Sequence, residues 1–217
     1  MVGERLVQGR ELAPRRWQDL RGTADGHVEV LRYPRGVVLV VAGVPGAGKS
    51  TLLHRLFPIS GAEQAPVWLP GDVLVVDSEQ ARNRWRQHLG PRVPYRLYRP
   101  LVHLTNLWST LRALRRGATV VLHDCGTRRW WRHLVTRAAR RPVHVILLDV
   151  PPELALAGQR ARNRLVRGRA FRRHLRAWRR LVPDPEAAAP PRSVSSCASC
   201  LVLDRAAAAR LRAISFS

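Results

Sequence analysis

The chain has 217 residues, with 38 lysines and arginines against 15 aspartates and glutamates, and a formal net charge of +23. That length predicts one domain with a sizeable core. The absence of any apolar run of roughly 18 residues argues against a membrane-spanning helix, and Met1-Val2-Gly3-Glu4-Arg5 does not open a hydrophobic signal segment. Cys125, Cys197 and Cys200 are too few for a disulfide framework, so the expected compartment is a reducing cytoplasm.

In chain order, residues 1–35 form an N-terminal extension of mixed character, with a short helix expected around Trp17 and a turn at Thr23-Ala24-Asp25-Gly26. Val37-Val38-Leu39-Val40-Val41-Ala42 is an unbroken apolar, β-branched run and predicts a buried parallel strand. Thr51 to Phe57 has helical spacing and stops at Pro58. A loop with Gly61, Pro66, Pro70 and Gly71 leads to a second strand, 73–77, and then a helix over 78–88. Leu101, Leu104, Leu107, Leu111 and Leu114 recur every three or four residues and predict a helix over 101–116. Strands three and four are read at 119–124 and 143–149, with a basic helix, 128–141, between them. A helix starting near Glu153 leads into an arginine-dense stretch, 160–180, and a proline- and alanine-rich loop over 183–193. A fifth strand at 200–203 and a last helix over 204–213 complete the pattern. Strands alternating with helices predict an α/β fold with a parallel sheet covered on both faces.

Only one of the cations is a lysine, and it stands in Gly43-Val44-Pro45-Gly46-Ala47-Gly48-Lys49-Ser50-Thr51. Glycine, four residues, then Gly-Lys-Ser, between a strand and a helix, is the phosphate-binding loop, or Walker A motif, of P-loop nucleotide enzymes. A compact ammonium fits among β- and γ-phosphate oxygens where a planar guanidinium does not. The loop predicts nucleotide binding through residues 43–51, with the Ser50 hydroxyl as a ligand of Mg²⁺.

Three strands end in aspartate: Asp77, Asp124 and Asp149. In such sheets chemistry gathers at the carboxyl ends of strands, and each carboxylate is either a metal ligand, a base or a helix N-cap. Small neighbours in His123-Asp124-Cys125-Gly126-Thr127-Arg128 favour a metal-binding role for Asp124, whereas Asp149 before Val150-Pro151-Pro152-Glu153 reads as structural. None of the three is followed by Glu, the pair many motor ATPases use to activate water, and a guanine-reading Asn-Lys-x-Asp element is impossible with Lys49 as the sole lysine.

The loop Gly43–Thr51 resembles that of the small kinases grouped with phage-type polynucleotide kinase, zeta toxin and chloramphenicol phosphotransferase. The resemblance extends over roughly residues 35–213 and implies a five-stranded P-loop sheet of order two-three-one-four-five, with the domain at 36–214. In that group a Ser-Asp-x-x-Arg pattern after the second strand supplies the base and a substrate-binding arginine. The matching stretch here is Asp77-Ser78-Glu79-Gln80-Ala81-Arg82, with Glu79 as first choice of base, Asp77 as its rival, and Arg82 and Arg128 as substrate-binding candidates. The group's lid, placed at about 158–172, implies Arg160 and Arg164 as arginines that close on phosphate. ATP and Mg²⁺ are the cofactors implied, and the expected activity is phosphoryl transfer to a hydroxyl of a small molecule, nucleotide or polynucleotide. An ATPase switch and a basic nucleic-acid-binding module are the competing readings.

The arginine surplus reads either as a nucleic-acid footprint or as compositional bias. Arg172, Arg173, Arg176, Arg179 and Arg180 around Trp178 are one candidate strand-binding face, and Trp130-Trp131 a candidate stacking pair, with packing of the tryptophans into the core as the plainer expectation. Cys197-Ala198-Ser199-Cys200 has metal or redox spacing, but one pair with no second pair or nearby histidine predicts neither.

Overall fold

A computed structural model describes residues 10–22, 28–124, 129–161, 168–182 and 197–217. The apolar runs form the strands they predict. Strands β4 (Val38–Gly43), β6 (Val73–Asp77), β8 (Val143–Leu148) and β9 (Ser199–Leu203) are buried along their whole length, as central parallel strands with helices on both faces must be. With β7 (Thr119–Asp124) they stand in the order β6-β7-β4-β8-β9, which is the expected two-three-one-four-five arrangement.

The sheet has seven strands rather than five. β2 (Arg16–Asp19) adds parallel to β9, and β5 (Val67–Leu69) adds antiparallel to β6. Both are short, four and three residues, so pairing with a finished edge makes them strands. Trp17 is therefore in a strand, not the expected helix: it pairs with Cys200 and packs on the core. A second, three-stranded parallel sheet, β1-β3-β10, joins β1 (Arg10–Leu12), β3 (Val28–Tyr33) and β10 (Ala213–Phe216). The last helix, α7 (Arg205–Arg210), is correspondingly shorter than expected, because the chain turns extended at Leu211 to reach β3. The turn expected at 23–26 lies outside the described residues.

Helix α1 (Lys49–Leu56) follows β4 directly, and α2 (Ser78–Leu89) follows β6. Helix α3 (Tyr95–Leu114) starts earlier than the leucine spacing suggests, with Pro94 as its N-cap and Pro100 inside it. It buries Tyr98, Val102, Thr110, Ala113 and Leu114, leaving Leu101 and Leu104 exposed. Helices α4 (Arg129–Ala139), α5 (Pro152–Arg160) and α6 (Gly168–Arg179) complete the layers. On α6, Phe171 and Trp178 point into the core while Arg172, Arg173, Arg176 and Arg179 are exposed, so Trp178 is not part of a stacking face. Trp131 packs on the core, whereas its neighbour Trp130 is 55% exposed.

Candidate nucleotide site

The loop after β4 owes its shape to its glycines. Gly46 has φ +90° and Gly48 φ +97°, conformations that residues with a β-carbon rarely adopt. Left-handed residues of this kind turn backbone N–H groups toward one centre, the nest geometry that holds phosphate. Gly48 is the N-cap of α1 and offers no capping side chain to compete with an anion for the start of the helix. Lys49, buried in the loop, folds its ammonium back to donate to the carbonyls of Gly43 (2.7 Å) and Val44 (3.2 Å).

The loop is clamped from behind by α5. A β-carbon on Gly46 would lie 2.0 Å from the Ala155 carbonyl oxygen, and one on Gly158 would lie 2.6 Å from the Gly46 carbonyl oxygen. Gln159 donates from Nε2 to the Pro45 carbonyl at 2.9 Å. The amide thus satisfies a loop acceptor, and the two glycines permit backbone-to-backbone contact.

The strand ends bring the carboxylates to this corner. Asp124 pairs in register with Ala42, one residue before the loop begins, and is half-buried. Asp77 and His123 are register partners on β6 and β7, and Asp77 Oδ2 lies 2.7 Å from His123 Nδ1. Asp77 also caps α2: its Oδ1 accepts from the Glu79 amide at 2.9 Å, while Gln80 Oε1 accepts from the Asp77 amide at 3.0 Å. Burial pushes the Asp77 carboxyl up, but His123, the Glu79 amide and the Lys49 ammonium together hold it below the usual carboxylate range.

The donor set fits a nucleotide phosphate with a hard divalent cation. Ser50 in the first turn of α1 and Asp124 at the end of the adjacent strand are both oxygen donors, the type Mg²⁺ prefers. Among the described residues there is no group of three His, Cys, Asp or Glu side chains able to cage a metal.

This loop and its corner of carboxylates lie inside residues 38–185, the stretch that matches the family model AAA_33, described as an AAA domain. The chain belongs to that AAA domain family. Its fold is an α/β P-loop one, a largely parallel sheet flanked by helices. Among solved structures, a gluconokinase from Sinorhizobium meliloti 1021 is similar at 16% identity and a TM-score of 0.46, over 83% of this chain and 90% of that one. The tunicamycin resistance protein of Deinococcus radiodurans is similar at 17% identity and a TM-score of 0.43, over 65% of this chain and 79% of that one. At such values neither likeness carries a functional argument. Among curated proteins no match was found.

Within the AAA domain, the residues expected from sequence fall into two groups. Lys49, Ser50, Asp77 and Asp124 converge where β4, β6 and β7 end. Glu79 and Arg82 lie on α2 but face different neighbours. Glu79 lines an open cavity with Gly61 and Asn83, and the Arg82 guanidinium sits 4.6 Å from the Tyr95 ring centre. Arg160 is exposed at the end of α5, next to Gln159. Arg128 and Arg164 lie outside the described residues.

Asp149 is structural, but not as a cap: it accepts from Arg21 Nη1 at 2.7 Å and from Trp178 Nε1 at 2.8 Å, and α5 is instead preceded by Pro151. Sequence reading overlooked His123, Gly158 and Gln159. Only Asp77-x-x-Gln80, a capping-box spacing, gave a local signal that Asp77 has a helix to hold. Cys200 is buried and its thiol is pushed up by that burial; Cys197 is also a free thiol.

Proposed function

We propose that this AAA domain protein is an ATP-dependent kinase that transfers the γ-phosphoryl group to a hydroxyl of a small molecule, nucleotide or polynucleotide. The observation that carries the reading is the glycine-shaped loop with the chain's sole lysine, set beside Asp77 and Asp124 at the carboxyl ends of the neighbouring strands. Bound Mg²⁺ would supply positive charge to the β- and γ-phosphate oxygens, held by Ser50 and Asp124. Lys49 exchanges its two carbonyl partners for phosphate oxygens, and backbone N–H groups of the loop and the start of α1 orient the chain of phosphates. Glu79 accepts the proton of the acceptor hydroxyl, with Asp77, which caps α2 and lies 2.7 Å from His123, as the second choice.

Arg82 and Arg128 bind the acceptor in this reading. Arg160 and Arg164 belong to a lid at about 158–172. Gln159 and Gly158 already touch the loop, so the lid grows from an element in contact with the phosphates' cradle. The kinase-like domain takes in residues 36–214 with residues 1–35 as an N-terminal extension, and the free thiols suit a reducing cytoplasm.

The test is turnover of γ-labelled ATP with water alone, with RNA and DNA 5′-hydroxyl ends, and with a panel of small alcohols. Lys49→Ala is expected to abolish nucleotide binding in a folded protein, measured by calorimetry and circular dichroism. Glu79→Gln is expected to lower transfer by roughly 100-fold with nucleotide affinity retained. Steady hydrolysis with no phosphorylated acceptor would replace the kinase by a nucleotide-driven switch.

A further inference from the structure

Away from the nucleotide loop, the C-terminal half of α3 and the end of α4 enclose a chain of cavities. One of about 660 Å³ is lined by Arg115, Arg116, Arg137, Arg140 and Arg141. It shares Leu111, Arg115 and Arg116 with a second of about 400 Å³. Trp108, Arg112 and Arg116 then join that one to a third of about 270 Å³, which reaches Trp68 and ends at Asp77. Among the described residues lining this trough, Asp77 is the only carboxylate, and it is already held by His123.

Two features separate the trough from an ordinary solvated basic face. Its tryptophans stand in solvent, Trp108 at 61% and Trp68 at 48% exposure, each with a guanidinium over its ring: Arg112 at 5.2 Å and Arg116 at 5.4 Å. An exposed aromatic ring with a guanidinium beside it offers a flat face for a base and a cation for its phosphate. Second, Nε and Nη2 of Arg141 are buried without a hydrogen-bond partner among the described residues. The Asp72 carboxylate acts on this guanidinium electrostatically but accepts no hydrogen bond from those two nitrogens, which leaves them open to a phosphate oxygen. The arginines of α6 have neither feature, since Trp178 is buried beneath them.

We propose that this trough binds a single-stranded nucleic acid, its phosphates on Arg115, Arg116, Arg137 and Arg141 and its bases stacked on Trp68 and Trp108. Charge complementarity selects a polyanion, and the paired tryptophans select one with flat, unpaired bases. A duplex keeps its bases inside the helix, and an acidic protein segment has nothing to stack. Only the Asp77 end of the trough borders the nucleotide corner, and nucleic-acid binding along its arginines and tryptophans stands whether or not the chain is a kinase.

The experiment is fluorescence anisotropy of labelled 12-nucleotide oligo(U) and oligo(dT) against the full chain at several salt concentrations. Affinity is expected to fall with salt, with a log–log slope of about 0.7 for each phosphate contacted. Replacing Arg115, Arg116 and Arg137 together by Ala should lower that slope by about 2. The same loss of charge on α6, at Arg172, Arg173 and Arg176, should leave affinity within about twofold. Trp108→Leu, which stays apolar but cannot stack, should weaken binding roughly tenfold. All these side chains but Arg141 are exposed or at the rim, and circular dichroism checks each fold. Equal effects of the two triple variants, an unaltered affinity in Trp108→Leu, or tighter binding of duplex or poly-glutamate than of oligo(U) would each overturn the proposal.

Discussion

Gly46 shows how much one missing side chain sets at the candidate site. Its φ of +90° already disfavours any other residue, and the nearest obstacle to a β-carbon is the backbone oxygen of Ala155 at 2.0 Å, which no rotamer change can remove. Gly48 has a similar φ but nothing within 4 Å of its would-be β-carbon. Gly48→Ala is therefore expected to cost only backbone strain, about 1–2 kcal/mol. Gly46→Ala should cost more than that and loosen α5 from the loop, with loss of nucleotide affinity. Urea unfolding and a nucleotide titration on both variants check this, and equal stabilities would contradict the clamp. The spacing of glycines and lysine was legible because a phosphate loop is built from consecutive residues. Gly158 was not, since its partner lies more than a hundred positions earlier in the chain.

At the scale of elements, α3 departs furthest from its sequence. The leucine stripe 101-104-107-111-114 has helical spacing, and the spacing is right, but a stripe does not say which neighbour it meets. Residues Tyr98 and Val102 pack with Ala81, Trp85 and Val93 of α2 and the following loop, while Ala113 and Leu114 join the main core. The helix is gripped by different partners along its length, so its buried line follows neither pure period. Val102, 2% exposed, is expected to cost about 2 kcal/mol on replacement by Ala, whereas Leu104→Ala, at 62% exposure, should change stability by less than about 0.5 kcal/mol. Chemical denaturation of the two variants decides between the observed face and the leucine stripe. The strand ends behave otherwise. Asp77, Asp124 and Asp149 were visible as strand-end carboxylates with an N-cap among their possible roles, yet only packing shows that the first also meets His123, the second adjoins the loop, and the third anchors Arg21 and Trp178.

For the whole molecule, the small sheet meets the large one where Tyr33 of β3 packs edge-on to His144 of β8, their ring centres 5.1 Å apart. His144 is buried, its Nδ1 lies 2.7 Å from Ser199 Oγ on β9, and its Nε2 has no hydrogen-bond partner among the described residues. Burial holds its pKa below the ordinary 6.5. Unfolding frees the ring to take a proton, so its contribution is fully present above that ordinary value and is lost as the pH falls through the lower folded pKa. The protein should therefore be less stable at about pH 5 than at about pH 7.5, and His144→Gln should narrow the gap, measured as the shift in urea midpoint. An unchanged gap would place the pH response on other histidines.

The amino-acid sequence by itself determined the five central strands, their order through the resemblance carried by the loop, and the nucleotide-binding motif. These rest on apolar runs and local spacing, which act over a few residues. Tertiary structure alone decided the two edge strands and the second sheet, because short segments become strands only when a neighbouring edge offers its hydrogen bonds. It likewise decided the clamp of α5 on the loop and the gathering of distant arginines and tryptophans into one trough, because such contacts join residues whose sequence separation leaves no local trace.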